Sequence, residues 1–368
     1  MKLYIVKFLT DESSGRMEKV LDKALHTIAS CTELKEKGLQ LRPQVIQSPE
    51  EFFVAAENGL LQNQRILFAV ELDKGGINLD AYRLIAYLNS SSHKEALKKS
   101  VGGVIVDGQG SLFTKDIGRR IVFGANMAGC SFPGKPLAEA SSDLSNFKVL
   151  SNLWQLSVLE TYTKVCTSVM KKILGFTFET NEIPNILAIH ASNHKTSNSL
   201  LLWNMIKEHL GDNAEIEDVS IRNGQIQDCR GCRYEECLHF GENDTCFYGG
   251  VIVEKVYPAI VKSDILMLIC PNYNDSVSAN IMAFINRLTA VFRAKDLSHK
   301  KVYALVVSGY SGGDIVAQQI IGALNMNKTL ILPGNFALLE TANNPGDIMA
   351  VTDIEKRAKA FAEKILNA

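Results

Sequence analysis

Short runs of Val, Ile and Leu recur along the chain, separated by stretches in which apolar residues return every three or four positions. The short runs read as buried strands and the periodic stretches as helices packed against them. In the first half the strand-like runs are Leu3–Phe8, Gln40–Ile46, Ile66–Val70, Gly103–Val106 and Gly129–Phe132. In the second half they are Ile186–Ile189, Ile216–Ile221, Ile265–Ile269, Val302–Val307 and Thr329–Leu332. Alternation of this kind predicts βαβ units and parallel sheets covered on both faces. The expected architecture is two α/β three-layer (αβα) domains, each with a five-stranded parallel sheet of order 2-1-3-4-5. The amphipathic run Asn152–Leu174 would close the first domain, and the polar stretch Thr177–Pro184 would be a linker. The predicted boundaries are therefore 1–176, 177–184 and 185–368.

The two halves also align with each other. Val104-Ile105-Val106-Asp107-Gly108 matches Leu305-Val306-Val307-Ser308-Gly309. Gly124-Ala125-Asn126-Met127 matches Gly322-Ala323-Leu324-Asn325-Met326 with one inserted residue, and Phe132-Pro133-Gly134 matches Leu332-Pro333-Gly334. The period is that of a whole domain, which implies duplication followed by divergence.

At 368 residues the chain can bury two ordinary cores, and 46% hydrophobic with 21% charged residues is a globular composition. A net charge of −1 gives no reason to expect a nucleic-acid or membrane-surface partner. No run of eighteen apolar residues occurs, and the start reads as a strand and not as a secretory signal, so a cytoplasmic protein is expected. Of the eight cysteines, Cys31, Cys130, Cys166 and Cys270 sit singly in apolar contexts and read as core residues. Cys229, Cys232, Cys237 and Cys246 fall together, in a Cys-rich insertion spanning 229–246.

The candidate chemistry lies where strands of the second half end. After Ile189 the chain reads His190-Ala191-Ser192-Asn193-His194-Lys195-Thr196-Ser197-Asn198-Ser199 and enters a helix. Hydroxyls of Ser192, Thr196, Ser197 and Ser199, the Asn198 amide and charge from His194 or Lys195 suit a phosphate ester, with free N–H groups at the helix start. The loop contains no Asp or Glu. An ordinary capped loop would use many of the same residues. Two further loops would lie on the same sheet edge, where open α/β sheets bind ligands. One holds Pro271, Asn272, Tyr273 and Asn274, and the other Ser308, Gly309, Tyr310 and Gly313. Tyr273 and Tyr310 offer flat contacts to a planar ring, and the glycines let backbone approach its edge.

Through these residues the second half resembles the NADPH-dependent FMN reductase group of flavodoxin-like proteins, which includes the iron–sulfur flavoproteins. The family's phosphate loop, Gly-Ser-Pro-Arg-x-x-Ser-Asn-Thr, is represented by residues 191–199, with Ala191 for the Gly and His194 for the Arg. Pro271, Tyr273 and Arg287 fit its second signature, with Asn286 in place of an Asp, and Ser308–Gly313 its Gly-rich loop. The resemblance implies bound FMN, reduction by NADPH or NADH stacked directly on the flavin, and a quinone, nitro or azo compound, free flavin or metal centre as acceptor. His194 implies phosphate binding that varies with pH.

The cysteine spacing of the insertion would allow Cys229, Cys232, Cys237 and Cys246 to ligate a [4Fe–4S] cluster or a zinc ion. The iron–sulfur flavoproteins hold a tighter four-cysteine motif in this place, and cluster-free relatives keep related cysteines. A cluster passing electrons to flavin and a metal-free lid over the flavin both stay open.

In the first half, Asp11, Glu12, Glu71, Asp73 and Asp107 would converge where a phosphate would sit, so no flavin is expected there. The copy would instead stand in for the partner subunit of a dimer, giving an intrachain pseudo-dimer, with homodimerisation also open. The leading expectation is an FMN-dependent NAD(P)H oxidoreductase that meets a small-molecule or protein acceptor. The alternatives are an iron–sulfur flavoprotein electron carrier and a non-catalytic flavin sensor.

Overall fold

The computed structural model describes residues 2–30, 42–179, 181–192, 196–223 and 226–367. The chain forms two compact units, Met1–Thr177 and Phe178–Ala368.

In the first unit, strands β1 (Lys2–Phe8), β2 (Arg42–Ile46), β3 (Arg65–Leu72), β4 (Val101–Gly108) and β5 (Leu137–Ala140) form one sheet of order β2-β1-β3-β4-β5. All pairs are parallel, with Leu3 opposite Arg65 and Arg65 opposite Val101. The predicted start of the second strand, Gln40, lies outside the described residues. In the second unit, β6 (Asn185–His190), β7 (Glu215–Ser220), β8 (Ile265–Pro271), β9 (Lys301–Ser308) and β10 (Ala337–Thr341) repeat the pattern as β10-β9-β8-β6-β7. Both sheets are parallel throughout and have the 2-1-3-4-5 order of a flavodoxin-like fold.

The central strands are buried along their length, as continuous apolar runs in a two-sided sheet must be. One core layer of the first unit joins Leu3, Ile5, Leu67 and Ile105 of the sheet to Met17, Val20 and Ala24 of helix Arg16–Ala29. Tyr162, Val169 and Ile173 of helix Val158–Gly175 complete it.

Two boundaries differ from the sequence reading. The run 152–174 is two helices, Lys148–Trp154 and Val158–Gly175. Gln155 turns left-handed between them (φ 54°), and a capping box of Ser157 with Glu160 starts the second. The fifth strand of each unit lies beyond the run chosen from hydrophobicity. Residues 129–132 and 329–332 are buried for the most part, yet each makes only an isolated bridge, Val101 to Ser131 and Lys301 to Ile331. The chain then turns at Pro-Gly, passes a left-handed residue (Lys135, φ 56°; Asn335, φ 57°) and enters the edge strand.

The matched Asn-Met pairs have one structural role. Asn126 and Asn325 are both fully buried, and their side-chain amides donate to Cys130 O (3.0 Å) and Leu330 O (2.8 Å). The extra residue of the second copy falls in a π-helical stretch, Ile321–Met326, the usual way a helix absorbs a single insertion.

Candidate functional site

In the second unit the first loop leaves β6 at His190 and enters helix Asn198–Leu210. His194 and Lys195, the predicted cations, lie outside the described residues, as does Asn193. Ser197 is the N-cap, with its hydroxyl accepting from Leu200 N (3.3 Å). Thr196 is exposed, and Ser199 is buried. Ser192 is 2% exposed, and its Oγ has no hydrogen-bond partner among the described residues.

Asn198 does something other than what its sequence position suggested. Its Nδ2 donates to Ala342 O (3.2 Å) and Asn344 O (2.8 Å), and its Oδ1 accepts from Gly346 N (2.9 Å) and Ile348 N (3.4 Å). The amide is therefore spent on binding the helix start to the loop after β10. It shapes the first loop and does not offer donors into it. The sequence signal that could have shown this is the turn-forming Asn343-Asn344-Pro345-Gly346.

The third loop is built to hold one ring outward. Asn274 and Asp275 are both left-handed (φ 53° and 54°), and Tyr273 and Ser276 exchange backbone hydrogen bonds across them. This is the geometry of a type I′ turn. Gln319 secures it, donating to Asp275 O (2.9 Å) and accepting from Val277 N (3.2 Å). Asn272 ties this loop to the next by donating to Ser311 O (2.8 Å) and Ser308 Oγ (3.3 Å), while its own Oδ1 is buried without a partner among the described residues. Ser278 Oγ is a third buried polar atom without a partner among the described residues at this edge.

The fourth loop needs Gly312 in the left-handed region (φ 82°), where an added Cβ would stand 1.9 Å from Asp275 Oδ1. Gly309 and Gly313 lie beside it, and Tyr310, at 83% exposed, stands clear of the surface with Tyr273 at 56%. The structure thus brings Ser192, Asn272, Ser278 and Ser308 to one sheet edge, with two tyrosines at its rim.

The cysteine segment is held by helix Ala279–Arg287. Asn286 donates to Asp228 Oδ1 (2.9 Å), and Asn280 donates to Ile221 O (2.8 Å). Arg287, only 1% exposed, donates to Gly249 O (2.7 Å) and, at the segment's other end, to Gln227 O (3.5 Å). Cys237, on helix Tyr234–Glu242, has its thiol pushed up by burial, partly offset by Arg293. Cys232 Sγ lies 3.9 Å from Tyr248 Oη, and all four thiols are free. Among the described residues no three Cys, His, Asp or Glu side chains are grouped as metal ligands.

The first unit treats the same edge differently. Glu71 is fully buried at the end of β3, and its carboxylate accepts from Thr10 N (3.3 Å), Thr10 Oγ1 (3.3 Å) and Ser14 N (3.4 Å). Donors of the first loop thus face a carboxylate of the protein itself. Asp107 is also buried, which pushes its carboxyl up, against the pull of Arg16. Arg16 donates to Asp107 Oδ1 (2.6 Å), and to Ser141 O (3.1 Å) and Ser142 O (2.6 Å) after β5. The expected convergence of five acids is thus two. Asp11 and Glu12 are exposed, and Asp73 closes its own turn by accepting from Ile77 N (2.9 Å). Solvation is available to those three, whereas Glu71 and Asp107 sit at strand ends that the sheet buries. Arg16 was not singled out from sequence, because an Arg in the first turn of a helix ordinarily reads as a solvated residue.

The model of the NADPH-dependent FMN reductase family matches residues 184–344. No curated protein matches. Among solved structures, NAD(P)H:quinone oxidoreductase from Methanothermobacter marburgensis is 13% identical, covering 50% of this chain and 99% of its own, with a TM-score of 0.40. An FMN-dependent NADH-azoreductase from Bacillus anthracis in complex with FMN is 10% identical over 50% of this chain and 100% of its own, with a TM-score of 0.33.

Proposed function

We infer that the second unit, whose residues 184–344 match the NADPH-dependent FMN reductase family, is an FMN-dependent oxidoreductase using NADPH or NADH. The observation that carries this reading is the trio of buried polar atoms without a partner among the described residues at the edge of β6 and β8, Ser192 Oγ, Asn272 Oδ1 and Ser278 Oγ. Leaving a buried polar atom unpaired costs about 1–3 kcal/mol, and three at one ligand-binding edge fit a bound polar group.

The phosphate would be held by the hydroxyls of Ser192, Thr196, Ser197 and Ser199 and by free N–H groups at the start of helix Asn198–Leu210. The ring would lie among Pro271, Asn272, Tyr273, Asn274, Ser308, Gly309, Tyr310 and Gly313. Bound FMN supplies the hydride and electron chemistry, so no side chain need act as nucleophile or base. The protein's work is to fix the two loops through Asn272 and Gln319 and to keep the rim open for nicotinamide and acceptor. An exposed rim suits a quinone, nitro or azo compound, free flavin or a metal centre as acceptor. No step is assigned to Cys229, Cys232, Cys237 or Cys246. The first unit carries no flavin in this reading, because Glu71 occupies its loop donors.

The test is NADPH oxidation by the purified, FMN-loaded chain with a quinone acceptor, beside Ser197→Asp. Turnover that Ser197→Asp abolishes together with flavin retention is expected. A chain that retains no FMN, or a variant that keeps wild-type flavin content, contradicts the reading.

A further inference from the structure

The first unit contains a cleft of about 610 Å³ beside its sealed loop, and we propose that it binds a small amphipathic monoanion, an apolar body carrying one carboxylate or sulfonate. The volume lies within the range of about 300–1,000 Å³ common for small-molecule sites. One wall is a face of helix Arg16–Ala29, where Lys19, Val20 and Lys23 follow at helical spacing. Leu144, after β5, and Leu159, on helix Val158–Gly175, form the apolar side opposite.

The class of ligand follows from which lining groups are already engaged. Arg16 is spent on Asp107 and on carbonyls 108, 141 and 142, so its charge is neutralised in place. Gln109 donates to Thr10 Oγ1 (2.7 Å) and Glu12 O (2.9 Å), and Thr163 Oγ1 donates to Leu159 O (2.9 Å). A sugar or polyol would find few free neutral partners there. The ammonium groups of Lys19 and Lys23 make no ion pair or hydrogen bond among the described residues, although Lys23 lies near enough to Glu160 to help hold that carboxyl low. Among the described residues, Glu12 is the one lining acid without a cation partner. Two ammonium groups one turn apart over Val20, Leu144 and Leu159 therefore favour a single negative charge on an apolar body.

The experiment is calorimetric titration of the full, FMN-loaded chain with octanoate and with its neutral counterpart, octan-1-ol. Saturable octanoate binding at one site per chain is expected, at least tenfold tighter than octan-1-ol. Lys19→Glu with Lys23→Glu should weaken octanoate at least tenfold while leaving flavin content and NADPH oxidation unchanged. Lys19→Met with Lys23→Met should erase the preference for octanoate over octan-1-ol, and circular dichroism checks that both variants are folded. Absence of saturable octanoate binding, equal affinity for the alcohol, or undiminished binding in both lysine pairs would overturn the proposal. So would binding removed by Ser197→Asp and untouched by the lysine changes. A chain that binds octanoate as expected but never retains FMN would refute the flavin reading alone.

Discussion

Ser192 Oγ is buried without a partner among the described residues, and that makes it a sensitive probe of the site. A hydrogen bond to a charged group contributes about 1.5–3 kcal/mol, so Ser192→Ala should weaken FMN roughly 10- to 100-fold. The same change removes a buried unpaired hydroxyl, so the flavin-free protein should be no less stable. Fluorescence titration and thermal melts check the two halves of that expectation. Ser197→Asp acts through charge and should abolish retention outright. Among the cysteines, burial pushes Cys270 up to about 12 and raises Cys130 and Cys166 as well. Iodoacetamide on the native chain should therefore modify exposed Cys229 while leaving those three unlabelled until denaturant is added, as peptide mass spectrometry would read. Labelling of Cys270 ahead of Cys229 would contradict the core described here.

Elements are held to the site by a few side chains whose loss should be felt at a distance. An alanine at Gly312 must displace the Tyr273–Ser276 turn, since its Cβ would overlap Asp275, and the left-handed backbone adds strain. Gly312→Ala should weaken FMN at least tenfold with little change in the fold, which titration and circular dichroism together test. The loops carrying these residues were legible in the sequence because hydroxyls, glycines and a tyrosine recur where strands end. Two kinds of feature were not. Edge strands β5 and β10 are short and only partly apolar, whereas the runs 129–132 and 329–332 are more apolar yet form single bridges. Hydrophobicity reports burial, and burial alone does not say which segment completes a ladder. The Asn198 clamp was invisible for a different reason, because its partners at 342–348 lie about one domain-length away in the chain.

At the scale of the molecule, one fold occurs twice with opposite treatment of the ligand edge. In both copies a buried Asn secures the turn before the edge strand, and a left-handed residue follows Pro-Gly, at the pairs that match between the halves in sequence. The copies diverge at the strand ends, where Glu71 and the Arg16–Asp107 pair replace neutral donors. Removing Arg16 takes away the cation paired with buried Asp107, so Arg16→Ala should destabilise the protein by about 3 kcal/mol, read by calorimetry as a lower melting temperature. The central claim is that flavin is bound by one copy and refused by the other. Its most direct test is the stoichiometry of FMN bound at saturation by the full chain, measured with Ser197→Asp alongside. The account expects one FMN per chain and none in the variant. Two per chain, or one that survives Ser197→Asp, would contradict it.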